Sequence, residues 1–256
     1  MRIVTWNVNS IRARLPRVLA FLSKAKPDVL CAQETKVEDS AFPREEIEAA
    51  GYAVTTFGQK TYNGVAFLSR SAPSDVARGF PSDDDSAQRR LIAATFGATR
   101  VVNVYVPNGE SVGSDKFAFK LAWMKRLREW LDAHADPARP LVLCGDFNVA
   151  PEPRDVYDPK ALDGQVLFHP DERALLSRIM EFGLSDALRL RTGEAGLYSW
   201  WDYRGGAFHR KMGLRIDLVL VTEPLARACL DVRIDRDERK GPQPSDHAPV
   251  IADFEA

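Results

Sequence analysis

Ten short apolar runs, at residues 2–8, 29–33, 53–57, 65–68, 91–96, 101–106, 141–144, 214–221, 229–234 and 249–254, most tightly limit how this chain can fold. They are rich in Val, Ile and aromatic residues and are bounded by Gly, Pro, Asn or Asp, which is the pattern of strands. Many are apolar at successive positions, so both faces of those strands must be covered. Between them, Leu15, Val18, Leu19 and Leu22 fall at helical spacing behind an early Pro16. Phe117, Leu121, Met124, Leu127 and Leu131 do the same after a cap at Ser114. A third helix is expected over residues 171–182, closed by Gly183. So many strands with few helices, not strictly alternating, predict an α/β fold: a four-layer αββα sandwich of two mixed β-sheets flanked by helices. The order of the strands is not legible at this level.

No linker, repeat or low-complexity stretch divides the 256 residues, so a single domain over 1–256 is expected. No apolar run approaches the roughly 18 residues a membrane span requires, and residues 1–6 enter a strand without a signal-peptide layout, which favours a cytoplasmic protein with no membrane partner. With 35 Lys+Arg against 36 Asp+Glu, the chain lacks the broad basic surface of a protein that binds nucleic acid by charge alone. Any such contact must be local or metal-assisted. Cys31, Cys144 and Cys229 are odd in number and fit neither a disulfide framework nor a zinc site, so they are expected to be small buried hydrophobes. Residues 151–170 show neither period, and a loop of that length is usually functional or mobile.

The chemistry lies at the strand ends. Apolar runs meet polar residues at Trp6-Asn7-Val8-Asn9, Cys31-Ala32-Gln33-Glu34, Cys144-Gly145-Asp146-Phe147-Asn148, Arg215-Ile216-Asp217-Leu218 and Ser245-Asp246-His247-Ala248-Pro249. Burying a carboxylate costs several kcal/mol unless a cation or donors compensate it, so a cluster of them needs a cation. Each motif alone has a plainer reading: Asp146 and Asn148 capping a turn, Glu34 a solvated strand end, Asp217 paired with Arg215. Asp217 interrupts a central apolar run, which predicts burial and a partner; His247 is the candidate, held in one tautomer by the carboxylate. Oxygen-rich donors without thiolate favour Mg²⁺, with Mn²⁺ as substitute, and hence a phosphate-ester substrate. A serine-hydrolase reading of Ser245-Asp246-His247 carries little weight, because adjacent residues of an extended segment face opposite ways and no Gly-x-Ser-x-Gly elbow is present. Tyr105 is either a buried aromatic or a phenol offered to phosphate. His134, His169 and His209 are expected to be solvated.

In order and spacing, these motifs resemble the exonuclease III family of apurinic/apyrimidinic (AP) endonucleases, within the endonuclease/exonuclease/phosphatase superfamily that includes deoxyribonuclease I. The likeness also takes in Ile11-Arg12-Ala13-Arg14, Gln33-Glu34-Thr35-Lys36, Tyr62-Asn63-Gly64, Gln88-Arg89-Arg90, Tyr105-Val106-Pro107-Asn108-Gly109-Glu110 and Trp200-Trp201-Asp202-Tyr203-Arg204, and so spans nearly the whole chain. It implies a deoxyribonuclease I-like sandwich with the active site at one sheet edge. It implies Asn7, Glu34 and Asp246 as metal ligands, Asp146 to position or deprotonate the attacking water, and Asn148 to hold a phosphate oxygen. His247, oriented by Asp217, would contact the phosphate, assisted by Tyr105 and Asn108. Trp200, Leu214 and Ile216 would line a pocket for a flipped-out baseless sugar, with Arg204 in the basic segment beside it.

The implied activity is Mg²⁺-dependent hydrolysis 5′ to abasic sites, with 3′-5′ exonuclease and 3′-end trimming, on double-stranded DNA and by a monomer. Asn9, Leu214 and Asn108 depart from some relatives without removing a required group. Two other readings compete: a superfamily phosphatase acting on lipid, inositol phosphate or RNA, which the aromatic-basic segment disfavours, and a non-catalytic scaffold, which would lack acidic or His positions that are filled here.

Overall fold

The computed structural model describes residues 1–255. In chain order its strands and helices are β1 (Arg2–Asn7), α1 (Ile11–Ala25), β2 (Val29–Gln33), α2 (Arg44–Ala49), β3 (Ala53–Phe57), β4 (Val65–Ser69), β5 (Ser74–Arg78), β6 (Leu91–Phe96), β7 (Thr99–Tyr105), α3 (Asp115–His134) and β8 (Leu141–Asp146). Then come α4 (Pro159–Leu162), α5 (Pro170–Met180), β9 (Leu184–Asp186), α6 (Ala187–Arg191), β10 (Asp217–Thr222), α7 (Glu223–Ala228), β11 (Cys229–Ile234) and β12 (Val250–Phe254).

The strands form two six-stranded sheets, β11-β12-β1-β2-β4-β3 and β5-β6-β7-β8-β10-β9. Both are mixed: β1 runs parallel to β2 and β7 parallel to β8, amid antiparallel neighbours. Their facing sides enclose one apolar layer that includes Ile3, Phe67, Val101, Val142 and Val219. The outer side of the first sheet packs on α1 through Val4, Leu30, Phe21 and Leu22, and that of the second packs on α3 and α5 through Leu143, Leu220, Leu127 and Ile179. Strands so covered on both faces are the reason the runs look apolar throughout. The predicted αββα sandwich is therefore the observed one.

Two strands carried no apolar run. β5 is a sheet edge with largely exposed side chains, and β9 has only three residues. The strand expected over 214–221 begins only at Asp217, because Leu214 makes isolated bridges to Val156 and Trp200 instead. The first helix starts at Ile11, capped by the Ser10 hydroxyl, so Pro16 lies inside it rather than at its entry. Residues 151–170 are not featureless: they hold a short 3₁₀ turn at Pro153–Asp155 and the helix α4. Cys31, Cys144 and Cys229 are buried and unpaired. Among the described residues no helix is long and apolar enough to cross a membrane.

The topology brings the polar motifs to one edge. Asn7 and Gln33 are register partners where β1 and β2 end, while Tyr105 and Asp217 both pair with Asp146 at the end of β8. Gly145 makes that approach possible: its φ is +147°, and a Cβ there would lie 1.9 Å from the carbonyl oxygen of Val104.

Candidate active site

Glu34, Asp146 and His247 form the centre. One donor atom from each lies within 4.8 Å of the others, and no thiolate is among them. Glu34 follows β2 in a left-handed conformation (φ +50°), and Asn148 follows β8 in another (φ +49°). Two such non-glycine residues beside one cluster mark a backbone held by its surroundings in a costly geometry. Asn7 Nδ2 joins the two sheets by donating to Glu34 Oε1 at 2.8 Å and to Asp146 Oδ2 at 2.9 Å.

His247 Nδ1 and Asp217 Oδ2 are 2.8 Å apart, and the other ring nitrogen lies 3.7 Å from Asp146 Oδ2. Burial works against the imidazolium, but the charge of Asp217, that of Asp146 and the Asp217 hydrogen bond outweigh it and lift His247 to about 10. Burial, with the charges of Asp217 and Glu34, holds Asp146 up at about 7 despite His247 and Asn7. Glu34 is also pushed upward by burial, yet Lys36, 2.9 Å away, and the Asn7 amide bring it below the usual carboxylate range. Burial and the same two carboxylates push the Tyr105 phenol well above its ordinary value, so it is neutral.

Asp246 is held separately. Its oxygens accept from Asn9 Nδ2 at 2.9 Å and from Trp200 Nε1 at 3.0 Å. These donors and the charge of His247 lower its pKa although burial opposes them. Asn148 donates from Nδ2 to the Val106 carbonyl and accepts on Oδ1 from Asn108 Nδ2 at 3.1 Å. Tyr105 and Asn108 line a cleft of about 560 Å³ that Glu34 also borders. A second cavity, of about 360 Å³, is lined by Trp200, Arg204, Leu214, Leu167 and Val166. Ile216 is buried in the same apolar group as Leu214 and Phe168.

The carboxylate oxygens of Glu34 and Asp146 fit a hard divalent cation, and the cost of ionising Asp146 in place is what a cation would remove; the charged His247 stands beside them as a donor and not as a ligand. Of the three residues expected as ligands, Glu34 belongs to the cluster. Asp246 lies outside it, and Asn7 turns its amide nitrogen rather than its oxygen to Glu34.

Of the plainer readings, the turn cap holds, Asp146 Oδ1 accepting from the Asn148 N–H at 2.9 Å, but the Asp217–Arg215 pair does not. Arg215 binds Asp155 (2.7 and 3.0 Å) and Asp186 (2.8 Å) in place of Asp217, and Arg189 also pairs with Asp155. Ser245 is no nucleophile partnered by Asp246 and His247: its hydroxyl donates to the Asn7 carbonyl at 2.7 Å and accepts from the His247 amide. His134 and His209 are exposed, as expected, but His169 is half-buried and caps α5, its Nδ1 accepting from the Asp171 N–H. Sequence reasoning assigned no role to Lys36, whose ammonium lies between Glu34 and Asn9 Oδ1 (2.6 Å). Its place two residues after Glu34 was the available signal. It also passed over Lys120 and Glu172, because charged residues in helices normally face water.

A model of the endonuclease/exonuclease/phosphatase family matches residues 4–247. Exodeoxyribonuclease III of Haemophilus influenzae is 39% identical, with 99% of this chain and 100% of that protein aligned. The 3′ phosphatase NExo from Neisseria, solved bound to product DNA hairpin, superposes with a TM-score of 0.96 at 44% identity, all of both chains being covered. An AP endonuclease from Archaeoglobus fulgidus gives 0.96 at 42% identity, again over all of both chains.

Proposed function

The chain belongs to the endonuclease/exonuclease/phosphatase family, in its exonuclease III-like branch, and from that premise we propose a DNA repair nuclease that hydrolyses phosphodiester bonds 5′ to abasic sites and trims 3′ ends. The observation that supports it most is the convergence of Glu34, Asp146 and His247 at one edge of both sheets, beside an apolar cavity.

Magnesium, or manganese in its place, held at the Glu34 carboxylate where it faces Asp146, would supply positive charge against the scissile phosphate. The remaining work falls to side chains. Asp146 takes a proton from the attacking water, a role suited to a carboxylate whose pKa lies near working pH. His247 stays charged across that range and donates from Nε2 to a phosphoryl oxygen, stabilising charge that grows in the transition state. Asp217 fixes its orientation through Nδ1. Asn148 and Asn108 cradle the phosphate, and the neutral Tyr105 phenol donates to it. Trp200 and Leu214, with Ile216 behind them, form an apolar wall for a sugar that lacks its base, and Arg204 contacts the backbone beside it.

We take the protein to act as a monomer. Three buried, unpaired thiols suit the reducing cytoplasm. Nicking of a duplex with one abasic analogue, and release of phosphate from a 3′-phosphorylated duplex, test the reading. Both should occur with magnesium and stop with chelator; equal cutting in chelator would reject the metal dependence. A preference for inositol phosphates over either duplex would reject the substrate class.

A further inference from the structure

Lys120, in α3, has no exposed surface, and burial lowers its pKa while Glu172 beside it works the other way. Its ammonium donates to the carbonyl oxygens of Asn148 (2.6 Å) and Asn108 (3.1 Å) and to Glu172 Oε1 (2.5 Å). Glu172, in the first turn of α5 and equally buried, accepts the backbone N–H groups of Leu167 (3.3 Å) and His169 (3.0 Å). Two charges so far from water are costly, and an apolar pair of similar volume is often as stable. Stability alone therefore gives no reason for them. What an apolar pair could not do is hold two carbonyls and two N–H groups.

Those four groups belong to segments that border the site. Asn108 and Asn148 are the two amides of the phosphate cradle, joined side chain to side chain at 3.1 Å. Leu167 forms part of the wall of the apolar cavity and lies at φ +74°, a conformation that a leucine keeps only when held. Asn148, at φ +49°, needs similar support. The ion pair thus ties the end of residues 151–170 to the turns that follow β7 and β8.

Building on the nuclease reading, we propose that Lys120 and Glu172 are positioning residues that fix the spacing between the phosphate cradle and the cavity wall, so that phosphate and sugar are gripped in register. Neither touches substrate. Loss of the pair loosens alignment in the transition state more than it weakens binding, so kcat falls while KM changes little.

The test is steady-state nicking of an abasic duplex in magnesium by the full chain, wild type against K120M/E172L and against E172Q. The double variant should melt below wild type, since four backbone groups lose their partners, yet remain folded at the assay temperature, with kcat per folded molecule reduced by about 10- to 100-fold and KM within about threefold. E172Q keeps the volume at 172 and should shift kcat in the same direction; it is read alone if the double variant fails to fold. A kcat within twofold of wild type overturns the proposal, as does a loss carried wholly by KM. The wild-type control separates the two levels: no cutting by wild type defeats the nuclease reading, whereas normal cutting by every protein defeats only the positioning role.

Discussion

Replacing Asp217 by Asn tests how the site holds its charge. His247 lies at about 10 against an ordinary 6.5, a gap worth about 5 kcal/mol at 1.36 kcal/mol per unit. Asp217 makes the direct contact at 2.8 Å and Asp146 stands at 3.7 Å, so Asp217 carries the larger share, on the order of 3 kcal/mol or two units. Because the folded value is raised, this stabilisation is complete below about pH 6.5 and is lost as pH climbs through about 10. Asp217→Asn should therefore lower stability by roughly 3 kcal/mol in urea unfolding at pH 6, with the difference shrinking between about pH 8 and pH 10. The Cε1–H resonance of His247, followed by NMR in the metal-free protein, should show its midpoint falling by about two units. The alkaline limb of the pH–rate profile should move down with it, and kcat at pH 8 should drop by about 10²-fold. A midpoint that stays within half a unit of wild type would refute the assignment of Asp217 as the group that charges His247.

Asp146→Asn should cut turnover by about 10² to 10⁴-fold while the protein stays folded, as circular dichroism can check. The Asp146 pKa is raised in the fold, from 3.8 to about 7, so its contribution to stability is present in acid and lost as pH rises through about 7. Added divalent ion should consequently raise the wild-type Tm more at pH 8 than at pH 5, and a larger rise at pH 5 would contradict this. Arg215→Met leaves Asp186 without the 2.8 Å pair it makes with Arg215, while Arg189 still pairs with Asp155, and should cost about 3–5 kcal/mol in urea unfolding; a cost under 1 kcal/mol would contradict this.

The sandwich was legible because strands covered on both faces leave continuous apolar runs, and the site because carboxylates at the ends of such runs have few stable explanations. What escaped was pairing across long stretches of chain. Arg215 looked like a neighbour for Asp217, yet its partners Asp155 and Asp186 lie 60 and 29 residues away in sequence, which no local period records. Lys120 and Glu172 sit in helices where a charge ordinarily marks the wet face, so only the packing of α3 on α5 reveals that theirs is the dry one. β5 escaped for the opposite reason: an edge strand with exposed side chains looks like a loop.

Glu34 and Asp146, with the charged His247 beside them, face a place for a hard cation. Anomalous diffraction from crystals soaked in manganese addresses it directly. The account predicts a peak within bonding distance of a Glu34 carboxylate oxygen, lost in Glu34→Gln; manganese density elsewhere, with none at Glu34, would contradict it.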